Sequence, residues 1–369
     1  MPRNIEELAL PYLKHITPYK PGKPIEEVER EYGIKDSVKL ASNENPLGPS
    51  PLALQALREA IEGINRYPDG GGYYLKQALA KKHGVEPENL VLGNGSNEVI
   101  ELAARTFLSP QDEVVMADPA FLIYRLVTAA LGCCQIMVPL KDFRHDLKAM
   151  AEAVSPRTKM VFVGNPNNPT GTAVEPEELE TFISSLPEDV VLVLDEAYYE
   201  YLPIDARPDA IKHVREGRLI LCLRTFSKIY GLAGLRIGYG IAPPGVVEAM
   251  NKIRQPFNVN SLAQKAALAS LEDRQHLEST RAINEAGKRY LYEKFQEMGL
   301  VYVPTAANFI LVDVGRDGEE VARALLPKGV IVRPMGGYHL PTHFRVTIGT
   351  PPENERFIQS LKEALAFSR

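Results

Sequence analysis

The chain has 369 residues, of which 45% are hydrophobic and 24% charged, and its formal net charge is -5. These values exclude a disordered chain and a basic nucleic-acid-binding surface, and they allow two domains with a large core. No apolar run reaches membrane-spanning length, and the amino terminus lacks the apolar core of a signal peptide, so we expect a cytoplasmic protein. Cys133, Cys134 and Cys222 lack metal-site spacing and indicate buried thiols in a reducing compartment.

The amino-terminal part of the chain combines an arm with a polar loop. Residues 1–23 include the proline-rich TPYKPG and predict an arm of the kind that docks on a partner subunit, with a short amphipathic piece over 5–13. A helix over 24–32 and a strand over 38–41 lead to the loop 42–48, which alone indicates only a turn.

The stretch 65–98 contains two glycine-rich segments. Residues 65–74 place three tyrosines around a glycine run, which is unusual for a plain linker. After a helix over 75–83 and a strand over 90–92, the turn GNGSNE enters a helix, so backbone N–H groups, the helix dipole and the Ser96 hydroxyl favour an anion there. Glu98 stands where a dinucleotide-binding motif needs its third glycine, which excludes that motif, whereas a simple N-cap role for Ser96 stays open.

From residue 113 strands and helices alternate, which predicts a mainly parallel sheet with helices on both faces. Phe121, the turn NPNNPTG and Asp195 each follow a predicted strand, and ligands of such sheets bind at the carboxyl ends of strands. Core packing stays the alternative for Phe121, and capping the alternative for Asp195. The expected strands cover 114–116, 134–138, 160–163, 190–194 and 219–223, and the expected helices cover 99–107, 122–131 and a segment after Asp146.

Lys228 lies in TFSKIYGLAGLRIGY, just beyond the apolar strand 219–223, with residues 224–227 expected as a loop. A lysine amine has a pKa of roughly 10.4 in water and is a poor nucleophile at neutral pH, so a reactive lysine needs a site that favours the neutral amine. An isolated Ser-Lys pair is usually a surface feature. The other motifs at this edge of the sheet favour a lysine that carries the chemistry.

The last third of the chain predicts a second, α+β domain. Arg333 and Arg345 lie at or beside two of its strands and suit an anion such as carboxylate or phosphate, or else occupy a solvated strand edge. His339 and His343 flank Pro341 without a third ligand, so we expect no metal site. The expected strands lie at 237–241, near 301 and at 310–312, 330–332 and 344–348, and the expected helices cover 246–253, 262–271, 274–298, 318–326 and 352–366.

Together these motifs predict one site for one cofactor. The sheet edge gathers a lysine, an aspartate followed by a tyrosine, an Asn-Pro-Thr-Gly turn, an aromatic ring and an anion cradle with a nearby arginine. Pyridoxal 5'-phosphate (PLP) needs these parts, because its aldehyde forms an imine with lysine, its ring nitrogen needs a carboxylate, and its phosphate needs N–H groups and a cation.

Over nearly its whole length the chain resembles the fold-type I aminotransferases, and most closely the histidinol-phosphate aminotransferases. The resemblance rests on TPYKPGKP, ASNENPLG, NRYPDGGGYYLKQAL, GNGSNE, NPNNPTG, VLDEAY and TFSKIYGLAGLRIGY. It implies an α/β fold, with a mainly parallel sheet flanked by helices in a large PLP-binding domain (34–273) and a smaller α+β domain (274–369). The arm and first helix (1–33) would pack with the small domain or a partner subunit.

The resemblance also implies a role for each site residue. Lys228 would bind PLP covalently and move a proton, and Asp195 would pair with the ring nitrogen. Around the ring, Tyr198 and Asn168 would hydrogen-bond the hydroxyl oxygen and Phe121 would stack. The cofactor phosphate would be held by Gly95, Ser96, Asn97, Thr225, Ser227, Arg236 and, from the other subunit of a homodimer, Tyr67. The substrate would be bound by Tyr19, Asn43, Arg333 and Arg345.

The implied reaction converts L-histidinol phosphate and 2-oxoglutarate into imidazole acetol phosphate and L-glutamate, a step of histidine biosynthesis. Gln111, Ala120, Asn97 and Ile229 depart from the usual family pattern, but none of these positions removes a catalytic group. Two alternatives stay open. An aromatic or broad-range amino-acid aminotransferase is one, because Arg345 can bind a carboxylate as readily as a phosphate. A lyase similar to threonine-phosphate decarboxylase is the other.

Overall fold

The computed structural model of the protein describes residues 8–19 and 22–366. Along these residues the strands are β1 (Val38–Lys39), β2 (Leu90–Gly93), β3 (Glu113–Asp118), β4 (Cys134–Pro139), β5 (Thr158–Gly164), β6 (Val191–Asp195), β7 (Ile220–Thr225), β8 (Gly238–Ile241), β9 (Val301–Val303), β10 (Phe309–Asp313), β11 (Val330–Ile331), β12 (Arg333–Pro334) and β13 (His343–Thr347). The α-helices are α1 (Ile25–Tyr32), α2 (Pro51–Ala60), α3 (Tyr73–His83), α4 (Ser96–Phe107), α5 (Leu122–Ala130), α6 (Leu147–Glu152), α7 (Pro176–Ser185), α8 (Ile211–Arg215), α9 (Pro244–Asn251), α10 (Ser261–Glu272), α11 (Arg274–Glu297), α12 (Gly318–Leu325) and α13 (Pro351–Ala366).

A seven-stranded sheet organises the longer part of the chain, with strand order β2-β8-β7-β6-β5-β3-β4. The strands β3 to β7 run parallel to one another, whereas β8 is antiparallel to both of its neighbours. Every residue of β6 is buried, because helices cover both faces of the sheet, and its sequence VLVLD is accordingly almost entirely apolar. The prediction of a mainly parallel sheet is confirmed, and the carboxyl ends of the parallel strands meet at one edge.

Two apolar clusters cover the two faces of this sheet. Alternate residues of a strand point to opposite faces, so Leu194 belongs to one cluster and its neighbour Val193 to the other. Helices α3, α7 and α10 contribute to the Leu194 cluster, and helices α4, α5 and α9 contribute to the Val193 cluster. In the described part of the chain, no helix is both long and apolar enough to cross a bilayer.

A second, smaller unit is built on antiparallel strands in the order β12-β13-β10-β9. Phe295 of α11, Val321 of α12 and Phe357 of α13 are buried in its apolar cluster. Beside it, β1 pairs in parallel with β11. The predicted smaller α+β unit is therefore confirmed. Strand β1 pairs with a strand of this part of the chain, although it precedes every strand of the large sheet in the sequence.

The structure differs from the sequence-based elements at several places. Helix α2 was not predicted, although Ser50 accepts a hydrogen bond from the Ala53 N–H and Pro51 follows at the first helical position, a combination that favours helix initiation. The expected loop 224–227 begins two residues too early, because Arg224 and Thr225 still pair with β8. The expected strand 330–332 is divided, since β11 pairs with β1 and β12 pairs with β13.

Two further predictions concern the amphipathic piece near the amino terminus and the burial of the cysteines. The amphipathic piece over 5–13 lies partly outside the described residues, and Pro11–His15 form a 3-10 helix. Cys133 and Cys222 are buried as expected, but the prediction for Cys134 is wrong: this thiol is exposed, because β4 is the edge strand of the large sheet.

The packing of α11 against the small sheet predicts the effect of a single methyl group at Gly287. A Cβ there would lie 2.6 Å from Ile348 Cγ2 and 2.9 Å from Asn354 Nδ2. Glycine to alanine in a helix interior normally stabilises by roughly 0.5–1 kcal/mol, whereas overpacking costs about 1–3 kcal/mol. We expect Gly287→Ala to lower the free energy of unfolding in a denaturant titration.

Gly245→Ala in α9 is the matched control, because a Cβ at Gly245 meets no atom within 4 Å. It should leave the denaturation midpoint unchanged or raise it. A rise of the midpoint in both variants would show that α11 has room for the methyl group.

Candidate active site

A cavity of ≈ 390 Å³ opens where the carboxyl ends of β3, β5, β6 and β7 face the small sheet. It brings together most of the site residues expected from the sequence. Two of them do not line it: Gly95, the N-cap residue of α4, and Tyr67. The predicted residues that line it are Tyr19, Asn43, Ser96, Asn97, Phe121, Asn168, Asp195, Tyr198, Thr225, Ser227, Lys228, Arg236, Arg333 and Arg345.

Lys228 follows β7 in a short loop and points its amine into the cavity. Its Nζ donates a hydrogen bond to the carbonyl oxygen of Ser42 over 3.3 Å. Burial, reinforced by the positive charges of Arg345 and Arg236, lowers the pKa of Lys228 to about 8, although Glu44 and Asp195 oppose the shift. A lysine with this pKa is neutral in an appreciable fraction of molecules near pH 7, which is the state a nucleophile needs.

Asp195 is the last residue of β6 and lies at the bottom of the cavity. One oxygen, Oδ2, accepts a hydrogen bond from the Tyr124 hydroxyl over 2.8 Å, and Oδ1 accepts one from the Ala197 N–H over 3.1 Å. Burial raises the pKa of Asp195, while these two hydrogen bonds and the charge of Lys228 act in the opposite direction. A carboxylate held in this way favours a cationic group beside it, such as a protonated ring nitrogen.

Tyr124 is a site residue that the sequence reasoning missed. It is 1% exposed, its ring stacks on Phe162 with centroids 4.8 Å apart, and it meets Phe121 edge to face at 5.6 Å. Its position one helical turn after Phe121 was the available signal, since residues three apart share a helix face. The direction of that face toward Asp195 depends on how α5 packs.

The amino terminus of α4 forms a compact cradle with Arg236. Gly95 has φ +77°, and a Cβ there would lie 2.4 Å from Arg236 Nη2, so this position requires glycine. Arg236 itself adopts a left-handed conformation with φ 58°. Ser96 is the first helical residue rather than the N-cap, which leaves its hydroxyl available to a ligand together with the N–H groups of the first turn.

The roof of the cavity is built by the small sheet. Arg333 and Arg345 are directly opposite each other on β12 and β13. Arg345 is 7% exposed; its Nη1 donates to Asn168 Oδ1, its Nη2 donates to the Ala41 carbonyl over 2.8 Å, and its Nε has no hydrogen-bond partner. The Arg333 guanidinium lies 5.4 Å from the centre of the Tyr19 ring. Two cationic side chains that line one cavity suit an anionic ligand.

Two predicted residues have contacts that the sequence did not suggest. Asn43 lines the cavity, but its amide nitrogen donates to the Tyr198 hydroxyl over 2.9 Å. Tyr67 is 82% exposed, and its ring stacks on Phe257 with centroids 4.7 Å apart. Among the described residues, no cluster of His, Cys, Asp and Glu has the arrangement of a metal site.

The geometry fits PLP. The cavity is lined by an amine whose pKa is lowered, a buried carboxylate, the Phe121 ring and an anion cradle that includes a cation. The Arg345 guanidinium, which lines the cavity from the small sheet, offers a second positive charge for the anionic group of a substrate. These separate positions for a carbonyl, a ring nitrogen and two anions match the groups that PLP and its substrates carry.

Comparison with known proteins identifies the class. The family model described as aminotransferase class I and II matches residues 35–361, so the chain belongs to this family, whose members are PLP-dependent transaminases.

Individual members of this family that are similar to the chain are named for one activity. The histidinol-phosphate aminotransferase of Moorella thermoacetica is 55% identical over 95% of this chain and 91% of its own length. Histidinol-phosphate aminotransferase 1 of Nitrosococcus oceani is 50% identical over 97% of both chains. The crystal structure of histidinol-phosphate aminotransferase from Sinorhizobium meliloti in complex with pyridoxal-5'-phosphate superposes with a TM-score of 0.90 at 30% identity, covering 97% of this chain and 98% of that one.

The environment of Lys228 predicts its reactivity in the cofactor-free protein. We expect acylation of Lys228 to rise with pH around a midpoint of about 8, because burial and Arg345 favour the neutral amine. Quantitative mass spectrometry of the labelled peptide measures that midpoint. Unfolding in urea should move it to the ordinary lysine value of about 10.4.

Arg345→Met tests the electrostatic part of this effect. Removal of the positive charge should raise the Lys228 midpoint in the folded protein, since a like charge disfavours protonation. Equal midpoints in folded and unfolded protein would contradict the assigned environment.

Proposed function

We propose that this chain transfers the amino group of L-histidinol phosphate to 2-oxoglutarate, giving imidazole acetol phosphate and L-glutamate in histidine biosynthesis. The observation that carries the proposal is the pair Arg333 and Arg345, which face Lys228 across the cavity and suit a substrate anion. The relatives named histidinol-phosphate aminotransferase, at 46–55% identity, support the same substrate. Histidinol phosphate carries a phosphate and 2-oxoglutarate carries carboxylates, and guanidinium groups bind either kind of anion.

Lys228 and Asp195 divide the chemistry between them. Bound PLP supplies a ring that accepts the electron pair released when the substrate C–H bond breaks. Lys228 Nζ would hold the cofactor covalently and, once displaced by the substrate amine, would move the proton from the substrate carbon. Asp195 Oδ2, oriented by Tyr124, would keep a proton on the ring nitrogen. Asp195 is buried and Lys228 is half-buried, so both groups are shielded in part from bulk water.

The remaining residues would position cofactor and substrate. Phe121 would stack on the ring, and Tyr198 and Asn168 would hydrogen-bond its oxygen. Gly95, Ser96, Asn97, Thr225, Ser227 and Arg236 would bind the cofactor phosphate, and Tyr19, Arg333 and Arg345 the substrate's anionic end. Planar guanidinium groups bind phosphate and carboxylate through paired hydrogen bonds, so Arg345 would serve histidinol phosphate and 2-oxoglutarate in turn.

The substrate is tested by single-turnover absorbance titration of the PLP-loaded protein with L-histidinol phosphate, and in parallel with phenylalanine, tyrosine and O-phosphothreonine. We expect histidinol phosphate to remove the visible cofactor band at the lowest concentration, because its phosphate matches the arginine pair. Equal or better conversion by the aromatic amino acids would instead assign a broad-range aminotransferase. Carbon dioxide release from O-phosphothreonine, without need of an oxo acid, would assign a lyase.

Lys228→Ala is the matched control for the same titration. It removes both the covalent link and the proton carrier, so turnover should fall below detection even if PLP still binds in the cradle. Turnover comparable to that of the original chain would refute the assignment of Lys228.

We also propose that the protein is a homodimer whose active sites are shared between subunits. Exposed apolar side chains concentrate in residues 47–74, together with Phe257, which stacks on Tyr67. Exposed apolar patches of this kind mark association surfaces. Tyr67 of the partner subunit would then reach the cofactor phosphate. The exposed apolar side chains are Leu47, Leu52, Leu54, Ile61, Ile64, Tyr67, Tyr73, Tyr74 and Phe257.

Hybrid dimers test the shared site. Lys228→Ala and Tyr67→Ala each damage every site of their own homodimer, but a mixed dimer contains one site with neither change. Co-expression should therefore restore activity to about a quarter of the original level for random pairing in a twofold dimer. Activity no higher than the sum of the separate variants would mean that each site belongs to one subunit.

The domain division and the location of the enzyme remain proposals. The chain is divided into the arm and first helix (1–33), a large domain (34–273) and a small domain (274–369). The pairing of β1 with β11 favours a start of the large domain beyond residue 39. A cytoplasmic location is supported by the unpaired thiols of Cys133, Cys134 and Cys222, since a reducing compartment keeps cysteines in this state.

A further inference from the structure

Asn43 lies between the small sheet and the phenol of Tyr198. Its side chain is 1% exposed, and Nδ2 donates to the Tyr198 hydroxyl over 2.9 Å. The backbone has φ 56°, a left-handed conformation that asparagine adopts more readily than most residues with a Cβ. Substrate binding, the role that the family resemblance implies for Asn43, does not account for this contact.

Thr347 lies beside the oxygen end of the Asn43 amide. The Asn43 backbone N–H donates to Thr347 Oγ1 over 2.9 Å, so the threonine hydroxyl keeps its own hydrogen, and Asn43 Oδ1 lies 3.5 Å away as its acceptor. Oδ1 therefore lies on the Thr347 side of the amide, and the nitrogen lies on the side of Tyr198, to which it donates. Asn308 Nδ2 donates to the Asn43 carbonyl over 3.1 Å and holds the peptide from its other side.

This orientation controls the proton of Tyr198. A phenol oxygen that accepts a hydrogen bond from an amide keeps its O–H free to donate in another direction. Tyr198 lines the cavity, so that direction is toward bound PLP. We propose that Asn43 is a positioning residue that directs the Tyr198 proton into the cavity, where it is donated to the anionic ring oxygen of the cofactor. This proposal depends on the proposed function at one point, which is that Tyr198 contacts bound PLP.

The surroundings of Tyr198 keep it a donor. Burial raises the pKa of Tyr198 to about 12, with Arg345 and the Asn43 hydrogen bond acting in the opposite direction, so the hydroxyl remains protonated at neutral pH. The Lys228 amine lies 5.6 Å from the centre of the ring. The titratable and charged groups that act on Tyr198 from the neighbouring elements are Arg345, Asp195, Lys228, Tyr124, Tyr201 and Tyr338.

Asn43→Asp tests the proposal because it reverses the polarity of one hydrogen bond without changing the shape of the side chain. An ionised carboxylate only accepts, so Tyr198 would donate its proton to residue 43 and no longer to the cofactor. A lost donor to an anionic oxygen raises the pKa of that group. The readout is the pH midpoint of the change in the visible band of the PLP-loaded protein.

We expect Asn43→Asp to raise this midpoint by about one unit or more. Asn43→Gly keeps the left-handed backbone but carries no amide, so the Tyr198 hydroxyl rotates freely and the midpoint should rise by less. Unchanged midpoints in both variants would overturn the proposal. If the aspartate variant does not load PLP, Thr347→Val replaces it: loss of the hydroxyl releases the amide orientation and should also raise the midpoint.

The same changes in a Tyr198→Phe background separate an effect through Tyr198 from a direct effect of the new charge. Asn43→Asp should shift the midpoint little in that background, because the hydroxyl through which it acts is absent. A shift as large as in the Tyr198 protein would overturn the proposal. Turnover of histidinol phosphate by the original chain is measured on the same preparation; its absence would refute the proposed substrate, while the midpoints would still decide the role of Asn43.

Discussion

Residues 41–45 hold the active site together, because their backbone is bound from both sides of the cavity. The small sheet contributes Arg345 and Asn308, which donate to the carbonyls of Ala41 and Asn43, and from the large sheet Lys228 donates to the carbonyl of Ser42. A buried backbone carbonyl needs a donor, so this segment can lie between the two units only if each unit supplies one. The position of Lys228 relative to Arg345 is therefore set in part by this one short segment.

A second buried network supports the strands that carry Asp195 and Lys228. Behind the cavity, Arg224 of β7 donates through Nε to Glu196 Oε2 over 2.9 Å and lies 3.7 Å from Glu200, and its guanidinium stacks 3.4 Å above the Tyr199 ring. Burial raises the pKa of Glu196 to about 7, although Arg224 opposes the shift. Removing one partner of such a pair leaves an uncompensated buried charge, which costs about 3–5 kcal/mol. The pair thus fixes the relative position of two neighbouring strands whose next residues line the cavity.

The sequence predicted the parts of the site that depend on local order along the chain. GNGSNE at the start of a helix, Asp195 at the end of a strand and Lys228 just beyond another all follow from apolar runs and turn residues, because parallel strands bring their carboxyl ends to one edge. Tyr124 and Thr347 could not be found in this way, since their contacts join residues 71 and 304 positions apart. Helix α2 was missed although Ser50 and Pro51 mark its start; its apolar residues Leu52 and Leu54 are exposed, so apolar positions in this helix do not mark a single buried face.

The charge of Arg345 couples the pKa of Lys228 to the binding of a substrate anion. Arg345 lowers the pKa of Lys228, and its own Nε remains without a protein partner. A substrate anion on Arg345 would offset part of that positive charge, so the lysine amine would become a stronger base when substrate is present than when it is absent. Lys228 needs a neutral amine to bind the cofactor and, once the substrate amine has displaced it, an amine basic enough to take a proton. One arginine at the substrate-anion site would meet both requirements without any change in the position of Lys228.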